Sequence, residues 1–377
     1  MRIVIAVDSF KGCMRSDEAG AIIARALETT ASGADIVVLA VADGGEGTTD
    51  AVLQAVGGEI HSATVTGPLG GPVAARFGLL VRGATAVFEM ASASGIELVP
   101  DGRLDPLRTT TFGTGELIRA ALATGVQEII IGVGGSATVD GGAGMAQALG
   151  YRLLAVDGAE VERGGAALAV VDRIEPAARL PELRECRFRV ACDVTNPLLG
   201  AHGSARVFGP QKGASRDTVE MLDRGLANLA EVWTRQGFLT EVDHPGDGAA
   251  GGLGAALRAF CGAELISGAD LIADLIGFDD VVRGADLLVT GEGRTDAQTA
   301  SGKLPVVLAS RARVAGVPTI LLSGAIAGEL PELDDLFEAR YATVDASVPP
   351  AEAIRRGRHN LEAAARELGR RLAAGEI

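Results

Sequence analysis

The sequence predicts an α/β protein built on a doubly wound, mostly parallel sheet, and three observations carry that expectation. The chain has 377 residues, more than one hydrophobic core usually serves, so two domains are expected. Hydrophobic residues make up 47% and aromatics only 3%. The core must therefore come from Ala, Val, Leu and Ile, the mix of helices packed on a parallel sheet. Both ends of the chain also alternate short apolar runs with helical patterns.

In chain order, residues 3–7 read as an apolar strand. Ser16 then reads as a helix N-cap, with Asp17 and Glu18 in the first turn and Ala19, Ile22, Ile23, Ala26 and Leu27 at helical spacing. Residues 36–41 form the next strand and close a βαβ unit, so both strands deliver their following loops to one sheet edge. Further strands are expected at 85–89, 128–133, 187–191, 286–290 and 318–322. Nearly every one ends in a loop of Gly, Ser or acid. The alternation is cleanest at the two ends, whereas the middle holds long glycine-interrupted stretches. The expected organisation is thus one discontinuous doubly wound domain, 1–64 with 280–377, and an inserted second α/β domain, 65–279, with the ligand in the cleft between them. A tail helix over 351–374 follows Pro349 and Pro350.

A net charge of −15 opposes nucleic acid or an anionic membrane as partner, since both need a positive field. Cys13, Cys186, Cys192 and Cys261 show no Cys-x-x-Cys spacing and the four histidines are scattered, so neither a disulfide framework nor a zinc site is signalled. Residues 1–7 lead straight into a strand, with no signal-peptide pattern, and no apolar run approaches the ~18 residues that span a bilayer. A reducing cytoplasm is the expected setting.

The chain contains three lysines, Lys11, Lys212 and Lys303, and each adjoins a glycine. A compact ammonium beside amide-exposing backbone suits a phosphate, whereas a planar guanidinium needs fork geometry and more room. The competing reading is three surface lysines in turns. Gly-Gly-x-Gly also recurs at 44–47, 141–144 and 251–254, each time before an apolar helical pattern. Such a run could expose unpaired N–H groups at a positive helix end, or could serve only tight packing.

Familiar signatures are missing: no Gly-x4-Gly-Lys-Ser/Thr loop, no His-Arg-Asp loop and no Asp-Phe-Gly. The dinucleotide-like run Gly246-Asp247-Gly248-Ala249-Ala250-Gly251 places an acid where pyrophosphate would sit, which weighs against a nicotinamide oxidoreductase. What remains are loops combining acid, hydroxyl, glycine and an isolated cation. Phosphoryl transfer needs those parts: amides and cations on phosphate, carboxylates for Mg²⁺, and one carboxylate to orient or deprotonate the attacking hydroxyl. Taken singly, each acid could equally be a cap or turn former.

The runs Asp8-Ser9-Phe10-Lys11, Ala42-Asp43-Gly44-Gly45-Glu46-Gly47-Thr48, Gly134-Gly135-Ser136-Ala137-Thr138, Ala191-Cys192-Asp193-Val194-Thr195-Asn196-Pro197-Leu198, Phe208-Gly209-Pro210-Gln211-Lys212-Gly213-Ala214 and Thr290-Gly291-Glu292-Gly293-Arg294 resemble the glycerate kinase family of the bacterial glycerate 2-kinase type. The resemblance implies ATP-dependent phosphorylation of D-glycerate to 2-phosphoglycerate with Mg²⁺, and a Rossmann-like domain made from both chain ends. Val139 departs from it, standing where the family more often has Asn, and so does Val7, where Pro is common.

On this reading Lys11 meets the transferred phosphate, and Asp43, Glu292 and Asp296 are the Mg²⁺ candidates. Asp193 is the expected base, and Arg294 or Lys212 neutralises transition-state charge or holds the substrate carboxylate. Asp8, Ser9, Gly44, Gly45, Gly134, Gly135, Ser136, Thr138, Asp140, Asn196 and Lys303 complete the expected binding set. The alternatives are a kinase of a related hydroxy acid giving the 3-phospho isomer, and a non-catalytic sensor of glycerate or a sugar phosphate.

Overall fold

A computed structural model describes residues 1–45, 47–80, 83–300, 302–345 and 347–377. Glu46, a member of one of the motifs above, lies outside the described residues. The described strands are β1 (Arg2–Val7), β2 (Asp35–Val38), β3 (Gly58–Thr66), β4 (Pro72–Leu80), β5 (Thr85–Glu89), β6 (Glu128–Gly132), β7 (Arg152–Leu154), β8 (Arg173–Glu175), β9 (Arg187–Ala191), β10 (Glu264–Ile266), β11 (Leu287–Glu292), β12 (Thr319–Ser323) and β13 (Ala339–Ala342). The chain divides into two compact units. Unit 1 is Met1–Asp43, Asp50–Val56 and Gly268–Ile377, and unit 2 is Gly44–Thr49 and Gly57–Ser267.

The sheet of unit 1 runs β13-β12-β11-β1-β2, parallel throughout. Numbered within the unit, that order is 2-1-3-4-5, the flavodoxin-like form of the doubly wound fold. Alternate residues of β12 show the double winding. Ile320 and Leu322 pack in a core with Ile23, Leu27, Leu361 and Leu368, while Leu321 packs on the opposite face with Ala309 and Phe337. The terminal helix Pro350–Ala373 thus shares a core with the first helix, Ser16–Thr30. Ser16 is the first helical residue and not the cap. Arg15 occupies the cap position, and the Ser16 hydroxyl instead donates to the Val7 carbonyl at 2.7 Å.

Unit 2 holds the order β10-β9-β6-β5-β4-β3. Its strands β5, β6, β9 and β10 are parallel, and an antiparallel hairpin, β3 with β4, is added at the β5 side. Because β3 pairs along its whole length with β4, it stays in this unit. Besides the short Gly44–Thr49 segment, unit 2 runs from Gly57 to Ser267, where the sequence suggests an insertion over 65–279. One apolar face of the sheet, with Phe77, Phe88, Ile131 and Phe188, belongs to the same core as Leu226, Leu229 and Trp233 of the helix Arg216–Gln236. That helix has local start and stop signals: the Ser215 side chain accepts the Thr218 N–H, and Gly237 closes it at φ 75°.

Two of the three glycine runs pack against each other. Gly251 and Gly252 have φ of 75° and 92°. A Cβ on Gly251 would lie 1.9 Å from the Thr138 carbonyl oxygen, and one on Gly252 would lie 3.0 Å from the Gly141 Cα. The Gly141 N–H donates to the Gly251 carbonyl at 2.9 Å. Close backbone approach explains these glycines, and the cradle expected at 251–254 is a packing device.

Gly251→Ala should therefore destabilise the protein by roughly 3 kcal/mol or more in urea unfolding, since it combines a left-handed backbone with a backbone clash. Gly262→Ala, also left-handed at φ 63° but facing open space, should cost only about 1 kcal/mol.

Candidate functional site

In a 2-1-3-4-5 sheet the strand order reverses between the first and third strands, and loops leaving the carboxyl ends there diverge to leave room for a ligand. In unit 1 that point lies between β1 and β11. Val7 pairs with Gly291, and the next residue, Asp8, donates its N–H to the Gly291 carbonyl at 2.8 Å. Asp8 and Glu292 are therefore brought together by strand register. Gly293 leaves little room for a side chain, because its Cβ would stand 3.2 Å from both the Lys11 nitrogen and the Phe10 Cα. The β11 loop thus rests on the loop carrying Lys11, which is closed by Phe10 and Met14 exchanging backbone hydrogen bonds of 2.9 and 3.0 Å. Lys11 itself is exposed.

The charges at this edge are mostly negative. Asp8 is buried and its carboxyl is pushed up to about 8, first by burial and then by Asp43, with Glu292 adding to it. The Ser9 N–H, 2.6 Å from Asp8 Oδ1, and the Lys11 charge work the other way. Glu292 is also raised by burial. It is partly compensated by hydroxyl bonds from Thr299 at 2.6 Å and Thr295 at 3.0 Å and by the charge of Lys303. Thr295 continues the network to the Ser323 hydroxyl at 2.9 Å. Arg294 is largely exposed and lies 3.6 Å from the Asp296 carboxylate. Thr295 belongs to the loop from Gly291 to Asp296 that combines acid, hydroxyl and glycine, whereas nothing in the sequence marks Thr299 or Ser323 as part of the site.

In unit 2, the Gly44-Gly45 segment crosses the carboxyl ends of β6 and β9. A Cβ on Gly44 would be 2.6 Å from the Ala191 Cβ, one on Gly132 would be 2.2 Å from the Gly44 carbonyl oxygen, and one on Gly134 would be 3.1 Å from the Gly45 Cα. Glu89, the last residue of β5, holds the next turn by accepting the Thr49 N–H at 2.9 Å and hydroxyl at 2.6 Å. Glu89 was read only as a strand end, and an acid at the carboxyl end of a parallel strand was the available signal. Asp193 is exposed two residues beyond β9. The Asn196 amide is engaged, its Nδ2 donating to the His202 carbonyl at 2.9 Å.

Asp140 and Lys212 have internal tasks. The Asp140 carboxylate is fully buried and accepts from the Thr111 N–H and hydroxyl at 2.8 and 2.9 Å, and from the Gly142 and Gly144 N–H groups at 3.2 and 3.3 Å. Its pKa is raised by burial and lowered by those four bonds. The cradle expected at 141–144 is thus filled by the chain's own carboxylate. Lys212 is 2% exposed. Its Nζ donates to Ser136 Oγ at 2.6 Å and to the Thr138 carbonyl at 2.7 Å. Burial lowers its pKa to about 7, opposed by the charge of Asp140. Thr138 Oγ1 is buried with no hydrogen-bond partner among the described residues. Val139 is fully buried in the apolar core of the unit, so its side chain is a packing element there. Asp247, inside the dinucleotide-like run, is held by Arg258 at 2.7 Å and by the His244 N–H at 2.9 Å.

The sequence pattern described as "Glycerate kinase family" matches residues 3–373. The chain is 44% identical to a glycerate kinase of Bacillus subtilis (strain 168), over 98% of this chain and 97% of that protein. It is 43% identical to the glycerate 2-kinase of Escherichia coli (strain K12), over 100% and 99%. Its fold superposes on the crystal structure of a candidate glycerate kinase 2 from Salmonella typhimurium LT2 with a TM-score of 0.87 at 42% identity, covering 100% of this chain and 99% of that one.

Asp8 yields a stability prediction. A carboxyl whose folded pKa is raised from 3.8 to about 8 favours folding below about pH 4 relative to high pH, and that contribution is lost as pH rises to about 8. Asp8→Asn keeps an acceptor for the Ser9 N–H and removes the charge. Unfolding in urea should show the variant more stable by roughly 2 kcal/mol at pH 8 and little different at pH 4.

Proposed function

The chain belongs to the glycerate kinase family, and from that premise we propose that it transfers the γ-phosphoryl group of ATP to D-glycerate, giving 2-phosphoglycerate. The observation that carries the reading is the switch-point edge of unit 1, where Asp43 and Glu292 both raise the pKa of the Asp8 carboxyl and the charge of the exposed Lys11 lowers it. The bacterial relative named a glycerate 2-kinase supports the 2-phospho product.

Phosphoryl transfer asks the protein chiefly for positioning and charge compensation. Lys11 is assigned to the transferred phosphoryl group, where a compact, mobile ammonium can follow charge moving from ATP to the acceptor oxygen. Ser9, beside it, and Lys303, whose charge acts on Glu292, belong to the same phosphate-binding edge. Arg294 is assigned to transition-state charge, because Lys212 is committed to Ser136 and Thr138. Asp193 is assigned to the glycerate hydroxyl, orienting it and accepting its proton; an exposed carboxylate at the end of a parallel strand is suitably placed on its own sheet.

The carboxylates also fit Mg²⁺. Burial, Asp43 and Glu292 leave Asp8 raised even against the charge of Lys11, so a further cation at this edge would be stabilised. Among the described residues no three His, Cys, Asp or Glu side chains form a metal cluster. Mg²⁺ retains waters and takes one or two protein carboxylates together with phosphate oxygens. Asp43, Glu292 and Asp296 do not form a three-residue cluster, so one or two of these three candidates would hold it together with phosphate oxygens. When bound it would neutralise charge on the phosphate oxygens.

Incubation with Mg-ATP and D-glycerate should release ADP only when both are present. Saturable glycerate binding without turnover would instead indicate a sensor. Phosphorus NMR of the product separates the isomers, since a phosphate on the secondary carbon couples to one proton and one on the terminal carbon to two. Asp193→Asn should lower kcat by roughly 100-fold or more with little change in glycerate affinity. Near-normal turnover in that variant, with loss in Asp296→Asn, would move the base to Asp296.

A further inference from the structure

We propose that the backbone N–H groups of Gly134, Gly135 and Ser136 bind the carboxylate of the acceptor, and that Lys212 is a positioning residue acting on it through Ser136. The proposal rests on the reading of the substrate as a hydroxy acid.

The three N–H groups are consecutive, and among the described residues none of them makes a well-formed hydrogen bond, Ser136 only closing a turn on Val133. Their neighbours on both sides do: the Val133 N–H reaches the Ala191 carbonyl at 3.4 Å, and the Ala137 N–H reaches the Ser94 carbonyl at 3.0 Å. Backbone donors are normally satisfied, so three adjacent ones without a well-formed bond at the carboxyl end of β6 leave a place for an acceptor. Gly135 has φ 70°, the left-handed residue that turns successive amides toward one concavity and makes an anion-binding nest. Gly134 and Gly135 are exposed and carry no side chain to cover their amides. Ala91 and Gly45 wall them, at 3.3 and 3.1 Å from where Cβ atoms would be.

The nest is held from behind. Ser136 receives the Lys212 ammonium on its hydroxyl oxygen at 2.6 Å, and the same ammonium reaches the Thr138 carbonyl at 2.7 Å. Lys212 thereby fixes the turn on both sides of Ala137. When protonated, it also places a cation behind Ser136, where low dielectric strengthens its attraction for an anion. Nothing so placed would distinguish the hydroxyl groups of a polyol, but a monoanionic carboxylate gains from three donors and one cation. The arrangement therefore selects hydroxy acids over polyols and amides.

The test is steady-state kinetics on Lys212→Met and Ser136→Ala, with folding checked by circular dichroism. Ser136→Ala removes one oxygen and serves if the lysine variant fails to fold. Both should raise KM for D-glycerate, by roughly tenfold in Lys212→Met, and leave KM for ATP within about twofold. A raised KM for ATP with unchanged KM for glycerate would overturn the proposal and make the nest a nucleotide-phosphate site. A loss confined to kcat would overturn it as well. Should the wild-type enzyme show no glycerate-dependent turnover, the proposed reaction fails separately, and calorimetry still decides the nest. Binding of D-glycerate but not glyceramide, weakened in Ser136→Ala, sustains it. Equal binding of the two compounds overturns it.

Discussion

The buried carboxylate of Asp140 governs the loops of unit 2. Leaving such a charge without donors would cost several kcal/mol, and four bonds from Thr111, Gly142 and Gly144 prevent that. Meeting this requirement brings the start of the helix Phe112–Leu122 against the glycine turn before the helix Ala143–Ala148. It also explains why the turn contains glycine: a Cβ on Gly144 would be 2.2 Å from the Thr111-adjacent hydroxyl of Thr110 and 3.1 Å from the Asp140 carboxylate itself. Lys212, a buried cation acting on the same loop, completes the arrangement. Amides that could have gripped a ligand phosphate are spent on an internal anion, which leaves the turn at Gly134 to Ser136 as the part of the loop with donors to offer.

Unit 1 treats its charges differently. Glu292 is braced by the hydroxyls of Thr295 and Thr299, but the group formed with Asp8 and Asp43 keeps an excess of negative charge at a buried strand end. Such crowding opposes folding unless protons or cations relieve it. A domain selected for stability alone would have no use for it, and stability surrendered at strand ends is characteristic of sites shaped for chemistry. The glycines at 291, 293 and 324 serve the same edge by letting backbone lie on backbone, with Cβ positions 2.0 Å from the Leu322 oxygen, 3.2 Å from the Lys11 nitrogen and 2.2 Å from the Gly293 oxygen respectively.

Much of this was legible locally. Strands β5 and β9 match the expected ranges residue for residue, because short apolar runs bounded by turn residues are a short-range signal. The first helix was equally plain from its apolar spacing, although Ser16 turned out to bond Val7 instead of capping it. The hairpin of β3 and β4 was not read: its strands have mixed faces and long exposed stretches, so neither alternation nor a continuous apolar run marks them. The three lysines looked alike beside their glycines. Yet Lys11 is exposed, Lys303 is half-buried, and Lys212 is enclosed.

The sequence by itself determined the fold class, the strand-end positions of Asp8, Asp193 and Glu292, and the chemical kind of each loop, since all of these follow from residue type and spacing over a few neighbours. Strand β2 ends at Val38, short of the expected 36–41, so Asp43 stands in the loop beyond it. Tertiary structure alone decided which glycines admit a ligand and which only admit another backbone. It also decided that Asp140 is answered by Thr111, that Lys212 is answered by Ser136, and that Val139 belongs to the core. Those outcomes depend on partners between 29 and 76 residues apart in sequence, and the desolvation of a charge is a property of everything packed around it, not of its own stretch of chain.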